Sequence, residues 1–368
     1  MIKKINSIQA LRGFAIIFIM LSHCAFVIGS NGDTFETQIG CFGVSIFIMI
    51  SGFLASRKAN TIKEESVPIN SPTKYGFFKQ LLGKILKFWP LHFITFALSI
   101  PLCIGLAKES ISNFVMTGLC NLAMVHSFVP IKSFYFSFNF VSWYLTLTLF
   151  FMIIAPVASR IFKLKFIPSC IILFLLTALS LSLYFLFSKS AYYYYILYIC
   201  PLTRTIDYLI GGLIFNIVVK VNQSQFFSDR SKKNISLISI ILSFLGCVII
   251  LIVGYKNENP FFLNHVWIYP TFLLMIGFSI DSKWIIPKYI FENKVIVFIG
   301  NISFELFLIH QIIIRYFSLF CTKIEGNINL GFVCAIILAF ALAYLYQKGN
   351  IIVKKKLKGN TDKIESAL

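Results

Sequence analysis

Residues 8–29 read IQALRGFAIIFIMLSHCAFVIG, an apolar run long enough to cross a bilayer as one helix. Arg12 and His23 are its only basic side chains, and they stand eleven residues apart. Eleven residues are close to three helical turns, so the two side chains share one face, separated by roughly 16 Å along the axis. Ionisable residues inside a bilayer are costly and usually functional. The pair therefore predicts a path leading from one membrane surface towards the other.

Similar apolar runs recur along nearly the whole chain, in which 58% of the 368 residues are hydrophobic and only 13% are charged. This pattern predicts an all-α polytopic membrane protein, a bundle of about ten transmembrane helices. The expected spans are 8–29, 40–57, 85–106, 139–162, 166–188, 194–219, 234–254, 264–281, 294–318 and 328–352.

Basic residues are distributed unequally between the two sides of this predicted bundle. Segments on the side of the N-terminus carry 26 lysines and arginines, whereas the opposite segments carry 5. The positive-inside rule therefore predicts that the N- and C-termini are cytoplasmic. The net charge of +19 is explained by this topology and by attraction to anionic membrane lipids, so no nucleic-acid partner is expected.

The chain shows no internal repeat, long linker or soluble domain. We expect one integral membrane domain over residues 1–358, with sizeable loops only at 58–83 inside and 107–138 outside, and a short polar cytoplasmic tail at 359–368. The nine cysteines lack metal-binding spacing, and neither a nucleophile elbow nor a phosphate-binding loop is present. No metal is expected.

Four basic residues are candidates for chemistry. Arg12 is either an arginine reaching the interface or an anion-binding cation at the cytoplasmic mouth. His23 lies deeper, where burial favours the neutral imidazole that a general base requires; a structural histidine is the alternative. Lys84 and Lys87 are one turn apart and present two ammonium groups on one face. They are either a positive-inside anchor or a site for a phosphate-bearing cofactor.

Further polar residues lie deep in the predicted spans. Arg204 and Asp207 are three residues apart and should form an ion pair, which we interpret as structural. Ser303 and His310 share a helical face, and His310 has a predicted depth like that of His23. The two histidines either line one site or are separate polar groups of the core.

Two residues are expected on the outer side. Trp143, at the outer start of a span, fits the aromatic belt at a membrane interface. His126, in the outer loop, is expected at the surface, where it could contact an extracytoplasmic substrate.

Several motifs resemble those of the integral membrane acyltransferase 3 family, whose opening reads L-R-G-x-A, then a histidine, then G-V-x-x-F-F-x-x-S-G-F. The corresponding segments here are 11–15 (LRGFA), Ser22-His23 and 43–54 (GVSIFIMISGFL). Later segments resemble the family's R-x-x-R-I-x-P, W-x-L-S, P-x-x-R and S-Y-x-x-Y-L-x-H elements, namely 84–90, 143–146, 201–204 and 303–310. The resemblance covers essentially the whole chain.

The resemblance implies acyl transfer, commonly of acetyl from acetyl-CoA, to carbohydrate hydroxyls at the outer face. Arg12 and His23 match the family's essential arginine and histidine. Lys84 and Lys87 stand where its arginines approach the CoA phosphates, although lysine holds a phosphate as a point charge rather than through a bidentate fork. Where the family often has a glutamate after W-x-L-S, this chain has Thr148.

We therefore predict a stand-alone O-acyltransferase domain in a bacterial inner membrane. It would move an acyl group, acetyl first, from cytoplasmic acyl-CoA to a hydroxyl of a cell-surface polysaccharide or its lipid-linked precursor. His23 would act as general base, with a covalent acyl-histidine as a variant. A transporter or flippase of a lipid-linked saccharide is the alternative, disfavoured by the absence of inverted repeats. A sensor or assembly factor would need no aligned arginine and histidine.

Overall fold

The computed structural model describes residues 6–27, 35–61, 74–105, 110–256, 265–280, 292–324 and 326–365, and it is built from helices. Within these ranges, nine helices are long and apolar enough to cross a membrane. The prediction of a polytopic helical membrane protein is therefore confirmed.

The helices are, in chain order, α1 Asn6–Val27, α2 Phe35–Thr61, α3 Lys74–Ser99, α4 Ile111–Leu122, α5 Trp143–Phe162, α6 Phe166–Phe187, α7 Pro201–Gln223, α8 Asp229–Lys256, α9 Ile268–Ser279, α10 Lys294–Asn301, α11 Ser303–Lys323 and α12 Ile328–Glu365. Short helical turns at 100–103, 126–128, 132–135, 140–142, 195–199 and 265–267 connect some of them.

Helix α2 lies at the centre of the bundle, between α1 and α7. Its contact with α7 brings the two backbones together at two glycines. A Cβ atom at Gly52 would collide with the carbonyl oxygen of Tyr208, and one at Gly211 with that of Met49. Only glycine permits such an approach, since any side chain would push the helices apart. Helices α6 and α8 lie at the periphery and expose many large apolar side chains, as expected of surfaces that contact lipid.

Two predicted spans differ from the observed helices. In the described part of the predicted span 264–281, the helical turn at 265–267 is followed by the twelve-residue α9, which is about 18 Å long and too short to cross a bilayer unaided. The predicted span 294–318 is broken at Ile302, where φ is −102° and ψ is 10°. Next to the break, Gly300 lies against the carbonyl of Gln9 on α1, so α10 packs on α1 and the long helix begins at Ser303.

The loops and tail also contain more helix than predicted. The outer loop 107–138 holds α4, and α12 continues to Glu365, so most of the polar tail predicted at 359–368 is helical. For the loop 58–83, α2 ends at Thr61 and α3 begins at Lys74, and the segment between them lies outside the described residues.

Candidate active site

A cavity of about 640 Å³ opens between α1, α2, α3, α5 and α7 at the end of the bundle where α1 begins; we call it the basic cavity. Four cations line it: Arg12, Lys58, Lys84 and Lys163. None of the described residues that line it is acidic. Four positive charges on the wall of one cavity create a potential that attracts anions.

Only one of the two lysines that the sequence predicted to act together, Lys84 and Lys87, lines the basic cavity. Both lysines are exposed, but Lys84 lines the cavity, whereas Lys87, one turn further along α3, is not among the lining residues. Lys58 and Lys163, which sequence reasoning missed, come from the ends of α2 and α5. Nothing distinguishes them in the sequence from other lysines that follow the positive-inside rule. At Arg12 the buried Nε atom makes no hydrogen bond.

His23 and His310 lie next to each other. Nδ1 of His23 is 2.7 Å from Nε2 of His310, and the rings are nearly parallel, with centroids 5.0 Å apart. His310 is fully buried, whereas His23 retains some exposure. The two histidines are therefore adjacent to each other and are not separate polar groups of the core.

The hydrogen bonds fix the tautomers of this pair when both rings are neutral. Nδ1 of His310 lies 2.8 Å from the carbonyl oxygen of Leu306, and because a carbonyl only accepts, Nδ1 must carry the proton. Nε2 of His310 is then an acceptor and takes the Nδ1–H of His23. The lone pair of His23 is consequently on Nε2, in the more exposed of the two rings. A neutral imidazole oriented in this way can remove a proton from a hydroxyl.

Arg204 and Asp207 form the predicted ion pair, 3.0 Å between Nη1 and Oδ2, and both are buried. The guanidinium also approaches the hydroxyl of Ser45 at 3.5 Å and lies over the ring of Tyr198. The pair connects α7 to α2, the two helices joined by the glycine contacts. This arrangement agrees with the structural interpretation, since neither residue lines the basic cavity.

Trp143 and Ser303 are both buried. The placement of Trp143 in an aromatic belt is wrong: the segment preceding α5 covers it, Ser127 donates to its carbonyl oxygen, and its ring packs on Tyr198. Ser303 is the first residue of α11, about two turns from His310, and it does not line the basic cavity.

A second polar cluster, the outer cluster, consists of His92, Asn121, His126, Ser137 and Ser142, all of them buried. Nε2 of His92 donates to the carbonyl of Asn121, whose amide donates to both serines. The hydroxyl of Ser142 is in turn hydrogen-bonded to Nε2 of His126 at 3.2 Å. The expectation of a surface histidine at position 126 is therefore wrong, because the segment around α4 folds back onto α3 and α5. Burial, together with nearby His92, lowers the pKa of His126 to about 3.

Comparison with known proteins gives the family of this chain. The sequence model of the acyltransferase domain that defines the acyltransferase 3 family matches residues 5–348. This match includes every helix of the basic cavity and both histidines of the pair. The chain therefore belongs to the acyltransferase 3 family, a class of multi-pass membrane proteins.

A curated relative carries the same chemistry in its name. The protein called acyltransferase MdmB, from Streptomyces mycarofaciens, is 27% identical over 168 residues. The alignment covers 44% of this chain and 40% of that protein, so this chain matches less than half the length of its relative. No solved structure matches the chain.

Proposed function

We propose that the protein is a membrane O-acyltransferase that takes an acyl group, most simply acetyl, from acyl-CoA in the cytoplasm. The acceptor would be a hydroxyl of a cell-surface polysaccharide or of its lipid-linked precursor, in the inner membrane of a bacterium. The observation that carries this proposal is the His23–His310 hydrogen bond, which leaves a basic nitrogen on the more exposed ring.

The donor would enter from the basic cavity. Its phosphates would lie among Arg12, Lys58, Lys84 and Lys163, because a group of cations attracts a polyanion and none of the described lining residues is acidic. From Arg12 the distance to His23 along α1 is roughly 16 Å, a span that the extended pantetheine arm can cover. Lys87 lies outside the lining and has no part in this arrangement.

The chemical step needs only the histidine pair and the two substrates. Nε2 of His23 takes the proton of the acceptor hydroxyl while the hydroxyl oxygen attacks the thioester carbonyl carbon. The tetrahedral intermediate then collapses, the carbon–sulfur bond breaks, and the proton passes from His23 to the CoA thiolate. His310 keeps the imidazole in the required tautomer, as a buried aspartate does in serine proteases. Thr148, at the position of the family's glutamate, lines the basic cavity and supplies no carboxylate.

Mass spectrometry of surface and lipid-linked glycans tests this function. We would compare cells that lack the gene with cells complemented by the wild type or by His23→Ala. We expect one acyl mass to disappear in the deletion and in the variant and to return with the wild type. Unchanged acylation with less total surface glycan would support a saccharide transporter instead.

A further inference from the structure

Three aromatic side chains lie between the basic cavity and the histidine pair: Phe47 on α2, Tyr144 on α5 and Phe307 on α11. The ring centroids of Phe47 are 6.2 Å from Tyr144 and 6.1 Å from Phe307, and those of Tyr144 and Phe307 are 5.2 Å apart. The three rings therefore contact one another pairwise, mostly in tilted or edge-to-face geometry, and form a closed triangle, which we call the aromatic triad.

The cavity side of the triad is defined by two hydroxyl residues, each one helical turn away. Ser51 lines the basic cavity and donates to the carbonyl of Phe47 at 2.9 Å. Thr148 also lines the cavity and donates to the carbonyl of Tyr144 at 3.0 Å. The aromatic triad therefore lies next to the end of the basic cavity, both on α2 and on α5.

The other side of the triad meets the histidines. Phe307 is three residues before His310 on α11, and the centroids of the two rings are 6.1 Å apart. The ring of His310 stacks on that of His23. A continuous series of ring contacts therefore runs from Tyr144, at the end of the cavity, to the basic nitrogen.

Two rings of the triad keep some accessible surface although the residues beside them in the chain are buried. On α2 the residues next to Phe47 are fully buried, as Ile46 and Ile48 are 0% exposed, yet Phe47 itself is partly exposed. On α5, Tyr144 is partly exposed between the buried Trp143 and Leu145. Along α1, by contrast, Ile16 and Ile19 stand between Arg12 and His23 and are fully buried. The face of α1 between Arg12 and His23 is therefore closely packed at the level of the triad.

We infer that the aromatic triad sets the length of the acyl group that reaches His23, so that it admits acetyl and excludes longer chains. This inference rests on the proposed function, because it concerns the donor thioester of that reaction. A two-carbon acyl group needs little space beyond the thioester itself, whereas each further methylene must pass three rings packed against one another. Discrimination arises here because rings held from three helices cannot all move aside at once.

The test compares acetyl-CoA with hexanoyl-CoA as donors for purified wild type, Phe47→Leu and Tyr144→Leu. We expect the wild type to prefer acetyl, and each leucine variant to lower the acetyl-to-hexanoyl ratio of kcat/KM by about tenfold, a usual effect of changed pocket size. Phe53→Leu is the matched control. Phe53 is also on α2 and packs against an aromatic ring, that of Phe215 at 5.2 Å, but it does not line the basic cavity.

The outcomes separate the two proposals. A wild type that transfers no acyl group from any CoA thioester overturns the proposed function. A wild type that transfers acetyl, together with leucine variants that keep the wild-type ratio or lose activity with both donors, overturns the role of the triad alone. The two substitutions lie on different helices, so they are not expected to disturb the fold in the same way. The variant that elutes from size-exclusion chromatography as a single folded species is the one whose donor ratio tests the role of the triad. Phe47→Met serves in the same way if neither does.

Discussion

Two regions of the molecule each bring histidines close to one another, and they differ in what remains available for chemistry. In the His23–His310 pair, His23 donates to His310 and His310 donates to the carbonyl of Leu306. The nitrogen of His23 that still accepts a proton is on a ring that is partly exposed. In the outer cluster, His92 and His126 are both fully buried and bonded to groups of the surrounding segments. Burial alone therefore does not indicate a catalytic histidine; an oriented nitrogen with access to substrate does.

The largest expected difference between the two regions is in the effect of replacing a histidine on the rate of acyl transfer. We expect His23→Ala to lower the rate of acyl transfer by about 10³-fold, within the range that a general base contributes. His92→Ala should keep the rate per folded molecule within about threefold while lowering stability, because it removes a hydrogen bond of a buried network. Transfer assays on protein quantified after size-exclusion chromatography measure both. An equal loss in the two variants would show that the regions do not differ.

The second prediction concerns His310, which orients rather than reacts. His310→Ala should lower kcat by about 10²-fold, less than the loss of the base itself, since His23 remains but is no longer held in one tautomer. The pH dependence of kcat should change as well, because His23 loses its neighbour. A purely structural role would lower the amount of folded protein and leave the pH profile of the remainder unchanged.

The third prediction uses the depressed pKa of His126. Its folded pKa of about 3 lies below the ordinary value of 6.5, so only the unfolded chain takes up the proton between these values. Stability is therefore complete above about pH 6.5 and is lost as the pH falls, by about 2 kcal/mol at pH 5. Thermal unfolding in detergent at pH 7.5 and pH 5 measures this loss, and His126→Asn should reduce it. His92 lies nearby, so the double variant with His92→Asn tests whether that residue contributes the remainder.

The smallest expected effect distinguishes the two neighbouring lysines of α3. Lys84→Ala should raise KM for acyl-CoA by about fivefold with kcat unchanged, as expected when a charged contact formed equally in ground and transition states is removed. Lys87→Ala is the matched control and should leave both constants unchanged. Steady-state kinetics at two salt concentrations measures the difference, which should shrink at high salt. Equal effects of the two substitutions would return Lys87 to the donor site.

Much of the fold could be predicted from the pattern of apolar residues along the sequence. Runs of about 20 apolar residues predict spanning helices regardless of their neighbours, so most spans agree with the structure. The break at Ile302 could not be predicted, because it accompanies the seating of Gly300 on the carbonyl of Gln9, far away in the sequence. The short length of α9 could not be predicted either, because Val266, Trp267 and Ile280 extend its apolar run at both ends.

The candidate site divides in the same way. Arg12 and His23 are conspicuous because they interrupt an apolar run, and Arg204 and Asp207 because their spacing pairs them. The bond between His23 and His310 depends on how α1 and α11 are rotated, which no local pattern records.

The surroundings of His126, Lys58 and Lys163 could not be predicted from the sequence either. The burial of His126 depends on how the segment around α4 folds back over α3 and α5. In the sequence, Lys58 and Lys163 resemble the other lysines of the segments predicted to be cytoplasmic, and only the position of the cavity distinguishes them.

The backbone contact between α2 and α7 also has a consequence for how this protein tolerates mutation. At Gly52 and Gly211 the obstacle to a larger residue is a carbonyl oxygen of the opposite helix, not a side chain that could adopt another rotamer. No compensating substitution elsewhere can remove a carbonyl. In a saturation library selected for function, these two positions should accept glycine only, and second-site suppressors should be missing for them while they arise readily for cavity-lining residues.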